Sequence, residues 1–168
     1  MVKKVLMVIA PNDFRDEELF ETKEILEKSN IDVTIVNSTG QPSKSMFGKI
    51  VTPDKNFYDV DTKDFDAIVF VGGTGTKAYF NHNRTLELAK EFFKSGKVVA
   101  AICIAPTILV NAHVLNGKKA TCYPSERNNV NAVGSYTGSV VEVDGKIITG
   151  SGPEAASEFG ERIVEALK

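Results

Sequence analysis

Five apolar residues, Val98-Val99-Ala100-Ala101-Ile102, run straight into Cys103, and an apolar, helix-compatible stretch, Ile104–Leu115, follows at once. Ala101 and Ala105 flank the cysteine at minus two and plus two. A buried strand, a sharp turn and a helix in that order make an elbow. The turn crowds its neighbours, so they must be small, and the residue at the apex is held up at the carboxyl edge of the sheet. Alanines stand here where glycines are usual. The competing reading of Cys103 is a small buried hydrophobe, since free cysteine is among the most buried residue types. The elbow context favours a chemical role, because a helix starting at Ile104 aims its dipole and free N–H groups at the sulfur and favours the thiolate.

The rest of the chain extends this strand–helix pattern. Val5–Ile9 is a continuous apolar run of the kind covered on both faces. Asp16–Ser29 reads as a helix with acids in its first turn and Leu19, Phe20, Ile25 and Leu26 as its apolar stripe. Ile31–Val36 is strand-like, Ser38–Lys49 is rich in turn formers, and Lys49–Thr52 suits a short edge strand. Ala67–Val71 is a further buried strand, ending in Gly72-Gly73-Thr74-Gly75-Thr76. Asn83–Lys94 is helical and closed by Gly96. Lys119–Cys122 is a brief strand, Ser139–Val143 and Lys146–Thr149 flank the hairpin signal Asp144-Gly145, and Pro153–Leu167 is an amphipathic helix with Pro in its first turn.

Buried strands alternating with helices predict an α/β fold with a mainly parallel sheet and helices on both faces. At 168 residues, without repeat, low-complexity tract or linker, the chain suits one domain, 1–168. The apolar fraction of 42% and charged fraction of 25% are ordinary for a globular protein. A net charge of −2 with scattered Lys and Arg argues against nucleic-acid or anionic-membrane partners. Two cysteines make no disulfide framework, two histidines make a His/Cys metal cluster unexpected, and a reducing cytoplasm is the expected setting. The apolar segment near Met1 is short and runs into Pro11-Asn12-Asp13, so it reads as a buried strand rather than a signal peptide.

In such sheets ligands bind outside the carboxyl ends of the strands. Three features fall there: Asn12–Glu18, Gly72–Thr76 and Cys103. Asp16 and Glu17 read as surface acids that complement the helix dipole. Glu18 differs, because Thr22 and Ile25 follow at helical spacing and set it beside the apolar stripe. Desolvation there raises its pKa, and the protonated acid can donate a hydrogen bond to a thiolate. Gly72–Thr76 lacks both the Walker and the GxGxxG spacing. Its glycines permit close approach, and the Gly73 N–H can serve an oxyanion hole beside Cys103. His113, ten residues past Cys103 on the same expected helix, is about 15 Å away along its axis, and His82 sits in a polar loop. Neither suits a catalytic base. Tyr123 follows a short strand and can reach the pocket or pack in the core. Cys122 is inert packing or a thiol that resolves an oxidised Cys103.

These residues resemble the ThiJ/PfpI superfamily, which includes the parkinsonism-associated protein deglycase and the archaeal intracellular proteases. Ala101-Ile102-Cys103-Ile104-Ala105-Pro106-Thr107 resembles the family's Ala-Ile-Cys-x-Gly-Pro-Thr. Phe14–Leu19 resembles the segment carrying its cysteine-contacting glutamate, which falls on Glu18. Val71-Gly72-Gly73 resembles the Pro-Gly-Gly of its oxyanion loop, and Asp144–Pro153 the family's ending. The resemblance implies a flavodoxin-like three-layer sandwich, a homodimer or higher oligomer and a reactive, low-pKa cysteine. It also carries departures. Ile104 stands where the protease group has His, Tyr123 where the deglycase branch has His, Ser151 where it has Arg, and Ala105 where the elbow has Gly.

Three readings follow. The leading one is cofactor-free, glyoxalase III- or deglycase-like chemistry on small carbonyls. Cys103 and Glu18 would be catalytic, the Gly73 and Ile104 backbone would form the oxyanion site, and Gly72, Tyr123 and Ala105 would lie at the pocket. The second is a non-catalytic oxidative-stress sensor or chaperone that responds to an oxidant through Cys103. The third is a cysteine peptidase, disfavoured by the missing adjacent histidine.

Overall fold

A computed structural model describes residues 1–168. Its strands are, in chain order, β1 Lys4–Val8, β2 Asn12–Phe14, β3 Asp32–Asn37, β4 Ser43–Ser45, β5 Ile50–Val51, β6 Lys55–Asn56, β7 Ala67–Phe70, β8 Val98–Ile102, β9 Lys119–Ala120, β10 Ser135–Tyr136, β11 Val141–Asp144 and β12 Ile147–Gly150. The α-helices are α1 Asp16–Lys28, α2 Asn83–Lys94, α3 Pro106–Asn111, α4 Arg127–Asn131 and α5 Ala156–Ala166.

Seven strands form the central sheet in the order β11-β12-β8-β7-β1-β3-β6. All neighbours are parallel except the β11–β12 hairpin. Alternate residues of the buried strands feed two cores. Leu6, Val8, Val99 and Ala101 face the side covered by Leu88, Ala89 and Phe92 of α2 and by Ile108 and Leu109 of α3. Val5, Met7, Ala100 and Ile102 face Leu19 and Leu26 of α1 and Phe159 and Ile163 of α5. That double coverage is why these strands are apolar runs rather than alternating ones. The layers are those of a flavodoxin-like sandwich, as the resemblance implies, and the parallel sheet with helices on both faces is what the strand–helix alternation predicts.

The chain moves outward one way from β1 through β3 to β6, then returns and moves the other way from β7 through β8 to β12. The order reverses between β1 and β7, the place where open α/β sheets leave a crevice at the strands' carboxyl ends. The loops after β1, β7 and β8 meet there.

Several expected boundaries change. The helix expected over Ile104–Leu115 is regular only over Pro106–Asn111. Its N-terminal side is taken up by tight turn bonds, Ala105 N–H to Ile102 O and Thr107 N–H to Ile104 O. Its C-terminal side is closed by the Val114 N–H to Leu109 O bond, with His113 left-handed at φ 61°. The hairpin strands lie at Val141–Asp144 and Ile147–Gly150, about the turn Gly145-Lys146. The expected strand Lys119–Cys122 keeps only Lys119–Ala120. The segment from Pro153 opens as a 3-10 turn, with α5 beginning at Ala156. The expected edge strand near Lys49–Thr52 exists as Ile50–Val51 but leaves the main sheet. It pairs with β4, which pairs with β2 in a separate ribbon.

α1 and α5 pack closely on one face of the sheet. Gly160 makes this possible, since a Cβ there would lie 3.2–3.3 Å from Ile25 side-chain atoms. Phe159, one residue earlier, is fully buried between α5 and the sheet. Phe159→Ala is therefore expected to cost about 3–5 kcal/mol of unfolding free energy. Urea denaturation measures this, and a loss below about 1 kcal/mol would contradict the packing described.

Candidate active site

Cys103 occupies the elbow with φ 65°, a left-handed conformation that a non-glycine residue rarely adopts. Two backbone bonds hold it there. Its N–H donates to Gly150 O at 2.9 Å, and its carbonyl accepts from Tyr123 N–H at 2.8 Å. The sulfur thus stands at the end of β8, buried but lining a pocket beside Gly73 and Ile104.

Gly73 begins the 3-10 turn Thr74–Tyr79 after β7 with φ 113°. A side chain there would run into the backbone of Asp13–Arg15, so glycine lets the loops after β1 and β7 pack together. Arg15 N–H donates to Gly72 O at 2.9 Å and locks that contact. Gly72 is a glycine for the same reason, because a Cβ would overlap the Glu18 carboxyl, the Cys103 Cβ and the Ile102 carbonyl. Gly72 is not itself a wall of the pocket. Its N–H holds Glu18.

Glu18 is fully buried in the first turn of α1. Its Oε1 accepts from Gly72 N–H at 2.9 Å, and the carboxyl lies beside the Cys103 side chain where both crowd Gly72. Oε2 is buried with no hydrogen-bond partner. Burial pushes the Glu18 carboxyl up to about 8, against the pull of the thiol, the Gly72 N–H and Arg15. The acid therefore keeps its proton at neutral pH.

Burial also pushes the Cys103 thiol up, to about 12, with the charged form of Glu18 as the next cause. The Gly73 and Ile104 N–H groups pull the other way. The low-pKa thiolate expected from the helix dipole alone is thus not what this enclosure favours. Two anions cannot share so buried a spot. The thiolate is accessible only with the proton on Glu18, so the two groups titrate as a pair.

The pocket has a volume of about 210 Å³, about seven water volumes. Cys103, Gly73, Ile104 and Tyr123 line it, together with Arg15, Met46, Thr74, Lys77, Ser125 and Pro153. Larger hollows lie elsewhere on the surface, for instance beside Met1 and Leu167, but hold none of this chemistry. Tyr123 is exposed at the rim rather than packed in the core. Ala105, expected at the pocket, is buried in the opposite core, because side chains on either side of the tight turn point to opposite faces of the sheet. Cys122 faces that same opposite core while Cys103 faces the α1–α5 side, so Cys122 is not placed to resolve an oxidised Cys103. Burial, then the Glu126 charge, push the Cys122 thiol up to about 12.

Asp16 is not the surface acid expected. It is buried, accepting from the Ser45 hydroxyl at 2.7 Å and from Phe47 N–H at 3.2 Å. Those bonds pin the β4–β5 hairpin and bring Met46 to the pocket. Glu17 forms a two-point pair with Arg15, at 3.1 and 2.9 Å, which holds its carboxyl below the usual range. Ser125 reaches the rim through Glu126, a buried carboxylate that accepts from Ser125, Thr107 and Asn129 at 2.9, 2.9 and 3.1 Å. Of the pocket residues missed by sequence reasoning, Arg15 and Lys77 had a signal: each adjoins a loop at a strand's carboxyl end. Met46 and Ser125 had none, because distant pairings carry them in.

Neither histidine lines the pocket. His82 bonds to Tyr58 Oη at 3.1 Å and packs on Phe57, and His113 is exposed on the turn after α3. No group of three or more His, Cys, Asp or Glu side chains converges to hold a metal. No helix is long and apolar enough to cross a membrane.

Sheet, elbow and buried acid together define an α/β sandwich with a cysteine at a strand-to-helix elbow. The chain belongs to the DJ-1/PfpI family, whose family model matches residues 3–166. It is 44% identical to an uncharacterized protein of Methanocaldococcus jannaschii, over 98% of this chain and 82% of that one. It is 32% identical to the glutathione-independent glyoxalase DJR-1.2 of Caenorhabditis elegans, over 99% and 89%. It is 31% identical to a deglycase of Pyrococcus horikoshii, over 98% and 99%. Among solved structures, a ThiJ/PfpI domain protein of Brachyspira murdochii superposes with a TM-score of 0.96 at 31% identity, over 99% and 96%.

The raised Glu18 pKa has a sign that unfolding measures. The native state holds this proton more tightly than the unfolded chain, so stability from Glu18 is fully present below pH 4.5 and is lost as pH rises toward 8. Glu18→Gln cannot titrate, so its melting temperature should fall less than wild type between pH 5 and 8. Parallel melting curves for the two proteins would rule out a buried, protonated Glu18.

Proposed function

We propose that this protein is a cysteine-dependent enzyme acting on small reactive carbonyls, with glyoxalase- or deglycase-like chemistry. The observation that carries the reading is the buried Glu18 carboxyl beside Cys103, with Gly73 and Ile104 lining the same pocket and no histidine in it. The glyoxalase and deglycase names of relatives at 32% and 31% identity support it.

For a 2-oxoaldehyde the steps balance without an external oxidant or reductant. The Cys103 thiolate attacks the aldehyde carbon, a C–S bond forms, and the carbonyl π pair moves to oxygen beside the Gly73 and Ile104 N–H groups. Glu18 gives that oxygen its proton, leaving a hemithioacetal. The resulting carboxylate removes the proton from the former aldehyde carbon to give an enediolate, then returns it at the neighbouring carbon while the hydroxyl proton of the first carbon passes to the oxygen of the second. The aldehyde carbon has been oxidised to a thioester and its neighbour reduced to an alcohol. Water cleaves the thioester to a 2-hydroxy acid and frees Cys103. One carboxyl group is enough to move the carbon-bound proton, which accommodates the Tyr123 and Ile104 departures.

Turnover of methylglyoxal to lactate tests the reading. It should be abolished in Cys103→Ala and fall about 10²-fold or more in Glu18→Gln. Wild-type protein that leaves methylglyoxal untouched, yet gains a selective two-oxygen adduct at Cys103 under graded peroxide, would replace the enzyme with an oxidant sensor.

A further inference from the structure

The geometry points to a 2-oxoaldehyde that carries a carboxylate on its ketone carbon, recognised by Lys77 and Arg15, with glyoxylate as a non-turnover probe of the same anion site. This inference rests on the carbonyl reading above and names its substrate class.

Two of the ten residues lining the Cys103 pocket are cations, Arg15 and Lys77, and none is a carboxylate. Arg15 comes from the loop after β1, immediately before α1, and Lys77 from the 3-10 turn after β7. Their places are not equivalent. Arg15 is fixed from two sides, by the two-point pair with Glu17 and by stacking of its guanidinium 4.9 Å above the Phe47 ring. Glu17 balances its charge, but the Nη1 protons of its planar fork bond to nothing in the protein. Lys77 is exposed and pairs with no carboxylate. Glu18, the one acid facing the sulfur, stays protonated at neutral pH. The pocket is therefore left with a positive surplus in a chain whose net charge is −2.

That surplus lies at a set distance from the oxyanion site. Lys77 follows Gly73 by four residues, so it stands roughly one turn of a 3-10 helix beyond the N–H that meets the carbonyl oxygen. A molecule whose aldehyde carbon meets Cys103 would direct a substituent on the neighbouring carbon toward the cations. The volume of about 210 Å³ suits a compound of few carbons, and a planar guanidinium fork matches a planar carboxylate. Met46, Ile104 and Pro153 line the apolar remainder. The covalent step is unchanged: the C–S bond forms, the carbonyl opens to oxygen, and Glu18 supplies the proton.

The test reads the thiol and not turnover. Iodoacetate and iodoacetamide are similar in size and differ in charge. At low ionic strength the ratio of their rates at Cys103 should exceed the ratio for a small free thiol by about threefold or more, as one nearby charge gives. Lys77→Gln should bring most of that excess down; the rate ratio cancels any change in thiolate population that both reagents share, and an unchanged melting temperature reports an intact fold. Salt should have the same effect as the substitution. In the second arm, glyoxylate should protect Cys103 from iodoacetamide at lower concentration than methylglyoxal does, and Lys77→Gln should abolish the advantage. A rate ratio equal to that of the free thiol, or equal protection by both aldehydes, overturns the inference. Because both arms need only a reacting thiol, they stand or fall apart from methylglyoxal turnover.

Discussion

Cys103 sits in a backbone conformation that costs on the order of 1–3 kcal/mol for a residue with a side chain. It stays there because its N–H is bound by Gly150 at the end of β12 and its carbonyl by Tyr123 beyond β9. Those two bonds tie the elbow to segments far along the chain. They also draw Tyr123, and after it Ser125, to the pocket rim. The strain is located where a sulfur must be presented above a packed sheet, and the core beneath supplies the stability to hold it.

Around that strained residue the site is assembled by close approach. Gly72 and Gly73 let the loop after β7 lie directly against the loop after β1. The Glu18 carboxyl then has one backbone donor and one thiol for company and no water-facing side. Desolvation decides its protonation, outweighing the bonds that would favour the anion. The same desolvation acts on the thiol. Burial keeps both protons in place at neutral pH, and the sulfur can carry a negative charge only while the carboxyl keeps its proton.

How much was legible in advance follows from whether the signal was local. The buried runs Val5–Ile9, Ala67–Val71 and Val98–Ile102 are visible because a strand covered on both faces must be apolar at every position. The ribbon of β2, β4 and β5 was not, because Asn12–Phe14 and Ser43–Ser45 are short and polar and become strands only by pairing with each other. Asp16 looked like a surface acid because the hairpin that buries it lies about thirty residues on. Ala105 looked like a pocket residue because it adjoins Cys103 in sequence, whereas the turn reverses its direction.

The sequence by itself determined the class of fold, the elbow and the identity of the sulfur and its acid, since these rest on periodicity, small flanking residues and the position of Glu18 on one helix face. Only the tertiary structure decided the electrostatics of the elbow. The dipole argument for an ionised thiol uses Ile104 and the helix after it, and those are local. The opposing terms, burial of Cys103 and the charge of Glu18, exist only once α1, β7 and β8 have come together. The cationic wall of the pocket has the same origin. Arg15 and Lys77 are sixty-two positions apart and meet across the reversal of strand order between β1 and β7.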